Sequence, residues 1–128
     1  MRRILFFDSD IIQYSPSKKF DGLNVEIIEE SCVNNAWEIL KQKPISMVIS
    51  EFDDGSGSCD GEWLLEKINC LDPRPPFIFL SSGPSGPSKF FKLGAQCCFP
   101  KNSEGFKILY EFIELWKRRD IIYSSFIS

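Results

Sequence analysis

The chain contains no histidine. Imidazole is the commonest general base near neutral pH and the commonest metal ligand, so Ser-His and Cys-His nucleophile pairs and most metal-hydrolase centres are closed to it. Long apolar runs are missing too. The stretches Ile45 to Ile49 and Phe77 to Leu80 fall far short of the roughly 20 residues that a bilayer-crossing helix needs. The apolar segment after Met1-Arg2-Arg3 stops at Asp8, with neither the core nor the small-residue cleavage site of a signal peptide. No membrane partner is expected. A basic stripe is also lacking. The net charge is −3, which argues against nucleic acid, and Lys117, Arg118 and Arg119 read as the complement of a helix C-terminus. The five cysteines (Cys32, Cys59, Cys70, Cys97, Cys98) form no C-x-x-C pair. Their odd number points to reduced thiols and a cytoplasmic location, and away from disulfides or zinc. Vicinal Cys97 and Cys98 read as parts of a buried strand. There is no internal repeat and no linker.

What is present suits one domain. The chain has 128 residues, 43% hydrophobic and 26% charged, enough to bury about two thirds of its unfolded surface around one core. Residues 1–120 are assigned to that domain and 121–128 to a C-terminal tail. Arg3 to Phe7 is an almost wholly apolar run opening into Asp8-Ser9-Asp10, as a strand buried on both faces would. Ile11 to Lys19 is a weak helix that Pro16 interrupts unless it stands in the first turn. Asn24 to Glu30 reads as a second strand, and Ser31 caps a helix through Ala36, Trp37, Ile39 and Leu40. Ile45 to Ser50 is a third strand. A Gly/Ser/Asp loop from Asp53 to Asp60 follows, and then a helix with Trp63, Leu64, Leu65 and Ile68. Asp60 suits a helix N-cap.

Phe77 to Leu80 is a fourth strand. The Pro/Gly run from Ser81 to Ser88 limits the next helix, around Lys89 to Leu93, to about two turns. Gln96 to Pro100 is a last strand and Ser103 to Arg118 an amphipathic helix. The tryptophans Trp37, Trp63 and Trp116 sit at helical spacing among aliphatic neighbours and read as core or interface. Alternating strands and helices predict an α/β, doubly wound, five-stranded parallel sheet of flavodoxin-like type, a three-layer sandwich with shortened first and fourth helices. Ligands of such sheets bind beyond the carboxyl ends of the strands. Asp8, Ser9, Asp10, Glu51, Asp53, Ser81, Ser82 and Lys101 collect there.

From Arg3 to Trp116 this arrangement resembles the receiver domain of bacterial response regulators. The family's acidic pair, which holds magnesium after the first strand, is matched by Asp8-Ser9-Asp10, with Ser9 where the second acid usually stands; Asp8 and Asp10 are the residues left to bind metal. Counting forward through Ala36 to Leu40 and Lys43-Pro44 places Glu51 at the phosphoacceptor position. Counting back from Asp60-Gly61 lands on Asp53. Glu51 is favoured, because the other register puts Ser50 and Glu51 inside a strand buried on both faces, where an unpaired polar group costs a few kcal/mol. Leu80-Ser81-Ser82 resembles the strand end whose hydroxyl holds a phosphoryl oxygen, and Phe99-Pro100-Lys101 the end carrying the pocket lysine. Asn102 replaces the proline that follows it in the family, and Cys98 replaces the aromatic switch residue.

Acyl-phosphate chemistry needs a magnesium ion, a lysine and a hydroxyl around the carboxylate. This sequence keeps the last two. The resemblance therefore implies a receiver-like signalling domain of a two-component or phosphorelay pathway, not an enzyme and without cofactor, atypical at Glu51. An ion pair between Glu51 and Lys101 is expected to stand in for the phosphorylated state. Asp53 with magnesium is the alternative acceptor. An FMN-binding electron carrier of the same strand order is a third reading, disfavoured because Asp8 and Asp10 repel a phosphate. The expected partners are a histidine kinase or another protein. In the family the face of the fourth helix, fifth strand and fifth helix is the usual contact surface; here parts of Phe90, Phe91, Phe106 and Tyr110 would give it area for a partner or a homodimer, and a place in the core explains these aromatics equally well.

Overall fold

A computed structural model describes residues 2–11, 15–52, 60–83 and 87–127. The elements run β1 (Arg3–Phe7), α1 (Pro16–Lys19), β2 (Glu26–Glu30), α2 (Val33–Gln42), β3 (Met47–Phe52), α3 (Asp60–Ile68), β4 (Phe77–Ser81), α4 (Pro87–Leu93), β5 (Cys97–Pro100) and α5 (Ser103–Ile127). The strands form one parallel sheet in the order β2-β1-β3-β4-β5. That is the doubly wound order expected from the sequence.

The central strands are apolar on both faces because each face carries its own core. Alternation divides β1 cleanly. Leu5 and Phe7 join Ala36, Leu40, Leu64, Leu65, Ile68, Phe79 and Phe90 beneath α2, α3 and α4. Ile4 and Phe6 join Phe20, Met47, Ile49, Leu109 and Ile113 beneath α5 and the turn after α1. Each fully buried Leu, Ile or Phe side chain stabilises the fold by about 1.5–3 kcal/mol relative to exposure.

The shortness of α1 has a local cause. Pro16 stands in its first turn, where a missing N–H costs nothing, and Gly22 at φ 92° turns the chain away three residues after the helix ends at Lys19. Gly105, at the start of α5, lies so close to β5 that a Cβ there would meet the Pro100 carbonyl oxygen at 1.7 Å. The helix is thereby held tight against the strand end that precedes Lys101.

Several expectations are corrected. The third strand runs to Phe52, two residues beyond Ser50, and Ser50 and Glu51 are buried within it. The cost expected of such polar residues is avoided because both are bonded: Ser50 Oγ donates to the Glu51 carbonyl at 3.1 Å and Glu51 Oε1 accepts the Ser9 N–H at 2.9 Å, so their burial no longer decides between the registers of Glu51 and Asp53. Cys32, not Ser31, stands at the N-cap of α2 and offers no side-chain bond. Asp60 is the first residue of α3, not its cap. The last helix runs 25 residues to Ile127, through most of the expected tail.

Of the two roles open to the aromatics, the core takes most of them. Phe90 is fully buried, and Phe106 and Tyr110 pack on Phe20 on the α1 side, with ring centroids 6.3 Å away in each case. Among the described residues the large apolar side chains left exposed are Phe91 at 54%, Ile108 at 42% and Leu115 at 64%.

Candidate functional site

The carboxyl ends of four strands bring the polar residues together. Phe7 of β1 pairs with Ser50 of β3, so the next residues along, Asp8 and Glu51, are neighbours across the sheet. On the other side Glu51 pairs with Leu80, and Ser81 pairs with Pro100. Lys101, directly after β5, donates its backbone N–H to the Ser81 carbonyl at 2.8 Å. Asp8, Glu51, Ser81 and Lys101 therefore lie together at one end of the sheet. Asp53 and Ser9's acidic counterpart in the family differ in kind: Asp53 lies outside the described residues, and position 9 offers a backbone N–H to Glu51 in place of a carboxylate.

Asp8 is fully buried. Its Oδ1 accepts the Asp10 N–H at 2.8 Å, and the Lys101 ammonium lies 2.6 Å from its Oδ2. That approach lacks hydrogen-bond geometry, since Oδ2 has no directed donor, so the oxygen is held by charge. The lysine expected on Glu51 thus pairs with Asp8. The physical reason is burial: a wholly desolvated carboxylate needs an opposite charge more than one with a backbone donor and a rim of solvent.

The Glu51 carboxyl is pushed above its ordinary value of 4.5, first by burial and then by the Asp8 carboxylate, which favours the protonated form both as hydrogen-bond partner and as charge; the Ser9 N–H works against this. Two carboxyls and one ammonium side by side retain a proton more readily than an isolated glutamate does. The Ser81 hydroxyl is turned to its own loop, accepting the Gly83 N–H at 3.3 Å and facing the Gly83 carbonyl at 3.4 Å. Cys98, expected from the resemblance at the switch position, is half-buried against the core beneath α2, α3 and α4. Burial raises the thiol of its neighbour Cys97 above the ordinary cysteine value, which disfavours the thiolate.

The described donors, Asp8, Asp10 and Glu51, fit a divalent cation poorly. Magnesium requires several oxygens in near-octahedral array. Among the described residues no three acidic, histidine or cysteine side chains are placed to share an ion. Asp10 is exposed, and the buried oxygen of Asp8 faces an ammonium.

No protein-family model matches the sequence, and no curated protein does. Solved structures match closely in shape. A Francisella response regulator 1452 receiver domain superposes with TM-score 0.76 at 18% identity over 94% of this chain and 99% of that one. The Thermotoga maritima response regulator TrrA, solved in complex with Mg(2+)-BeF, gives 0.73 at 19% identity over 89% and 97%. The Vibrio cholerae chemotaxis response regulator CheY4 gives 0.70 at 17% over 88% and 98%. The fold is that of response-regulator receiver domains.

Proposed function

We propose that this chain is a receiver-type signalling domain of the two-component kind, with Glu51 at the phosphoacceptor position, that works by binding proteins and not by cycling an acyl phosphate. The observation that carries this reading is the register of β1 and β3, which sets Glu51 beside Asp8 at the sheet's carboxyl edge, with Lys101 already engaged by Asp8. In a receiver pocket the acceptor carboxylate, the hydroxyl and the lysine change partners when a phosphoryl group arrives. Here each has a standing partner within the chain: Ser9 for Glu51, Gly83 for Ser81 and Asp8 for Lys101. The pocket is suited to hold one arrangement.

The output then passes through the surface. A histidine kinase or another signalling protein is the class of partner the fold suits, and α4 and α5 offer the exposed apolar side chains Phe91, Ile108 and Leu115 for contact. No metal-dependent step is assigned to the pocket. Magnesium added at millimolar concentration is expected to leave the melting temperature unchanged, because no described donor set gains from it. A saturable rise in melting temperature with magnesium, absent for Asp8→Asn, would overturn this reading in favour of a metal-loaded pocket with Asp53 as acceptor.

A further inference from the structure

The sheet ends on one side at β2, which pairs with β1 and, among the described residues, with no strand on its other side. Consecutive residues of a strand turn their N–H and C=O groups to opposite sides. The Glu26 N–H points inward, to the Arg2 carbonyl at 2.8 Å, and the Glu30 carbonyl also points inward, accepting the Asp8 N–H at 3.1 Å. By alternation Ile28 faces β1 as well, and the N–H and C=O groups of Ile27 and Glu29 face outward along a free edge. The side chains alternate too. Val25 and Ile27 are half-buried at the margin of the core beneath α5, and Glu29 on the same face accepts the Ser17 hydroxyl of α1 at 2.5 Å. Between this face and the turn after α1 lies a cavity of about 540 Å³, bordered by Ser17, Phe20, Asp21, Asn24, Val25 and Ile27. Neither lysine nor arginine borders it. The opposite face of β2 carries Glu26, Ile28 and Glu30, with Arg3 bonded to Glu26 at 2.7 Å.

We infer that the edge of β2 receives an extended segment of a partner protein as an added strand, one with β-branched apolar side chains on one face and lysine or arginine on the other. The inference rests on the reading of the chain as a domain that acts by binding proteins, and it names a surface and a partner chemistry for that action. Main-chain bonds to Ile27 and Glu29 supply affinity, and the cavity selects side chains, as in other cases of strand addition. In an alternating segment the apolar side chains fall beside Val25 and Ile27 at the mouth of the cavity, and the basic ones fall beside Glu26 and Glu30. Charge excludes a second copy as the occupant. Two β2 strands paired antiparallel about Ile28 set Glu26 against Glu30, and like charges directly opposite are destabilising. The glutamates alone would do no more than discourage such pairing; it is the cavity beside the free edge that calls for an occupant.

The test is amide hydrogen exchange of the full chain by NMR, with and without a capped peptide of alternating lysine and valine about eight residues long. In the free chain the Ile27 and Glu29 amides are expected to exchange fast and those of Ile28 and Glu30 slowly; saturating peptide is expected to protect Ile27 and Glu29. A peptide of the same composition with its lysines and valines in separate blocks, and one of alternating glutamate and valine, are expected to give no such protection. Glu26→Lys should weaken binding of the lysine-valine peptide about tenfold at low salt. Circular dichroism checks the fold of that variant, and if it fails to fold the amide pattern and the two control peptides carry the test. The inference is overturned if Ile27 and Glu29 are already protected in the free chain, if saturating peptide leaves them unprotected, or if the block peptide protects them equally. Formation of an acyl phosphate would defeat the reading of the pocket; it is read separately by mass and leaves the amide result standing.

Discussion

At the scale of single residues, the pocket turns on which carboxylate holds Lys101. Asp8 is 0% exposed and its ion pair with Lys101 is the compensation for burying it. Lys101→Met leaves that charge buried and unpaired and is expected to cost about 3 kcal/mol by urea denaturation at neutral pH. Asp8→Asn combined with Lys101→Met should recover most of it. A cost within about 0.5 kcal/mol, the range of an ordinary surface substitution, would show that the pair contributes nothing. Glu51 predicts a pH dependence. Its folded pKa lies above its unfolded one, so the folded state holds the proton more tightly. The associated stability is full below the ordinary value of 4.5 and is lost as the pH rises through the raised folded value. Glu51→Gln, which keeps the shape and cannot ionise, should melt above the wild type at mildly alkaline pH and level with it at acid pH. A lower melting temperature for the glutamine variant at alkaline pH would mean that ionised Glu51 is held by a cation. The residue types in this pocket were legible in the sequence. Their pairing was not, because the choice of Asp8 over Glu51 follows from relative burial, which only the packed sheet defines.

At the scale of elements, β1, the short α1, α3 and the short α4 are readable from apolar runs, Pro16 and the Pro/Gly segment before α4. The end of β3 is not. Ser50 and Glu51 look like strand-terminating polar residues, yet the strand continues because α3 comes close enough to roof them. Gly61 of α3 is where this happens: a Cβ at that position would stand 2.3 Å from the Glu51 carbonyl oxygen and 2.9 Å from Ser50 Oγ. Gly61→Ala should therefore destabilise the domain by about 1–3 kcal/mol, although alanine is the better helix former by about 1 kcal/mol. Measured stability above wild type would show that α3 does not pack this closely on β3. The length of α5 escaped the sequence for a related reason. Ile121 to Ile127 has no capping or breaking residue to mark an end, and the amphipathic pattern that defines the helix up to Arg118 weakens where the sheet beneath it stops.

At the scale of the whole molecule, the sheet order and the layers follow from five apolar runs alternating with amphipathic segments, and the carboxyl-edge cluster follows from the topology. The exposed flank did not follow: Ile108 and Leu115 are aliphatic residues of an amphipathic helix, indistinguishable in sequence from those that face inward, and the more conspicuous aromatics Phe90, Phe106 and Tyr110 proved to be internal or turned to the α1 side. The molecule is a receiver fold whose pocket residues Glu51, Ser81 and Lys101 already have partners within the chain, and the central claim is that no acyl phosphate forms. The direct measurement is incubation of the full chain with acetyl phosphate, with and without millimolar magnesium, read by intact mass and by borohydride trapping of any acyl phosphate. The account predicts an unmodified mass in both conditions; a single phosphoryl group that depends on magnesium and traps at Asp53 would contradict it.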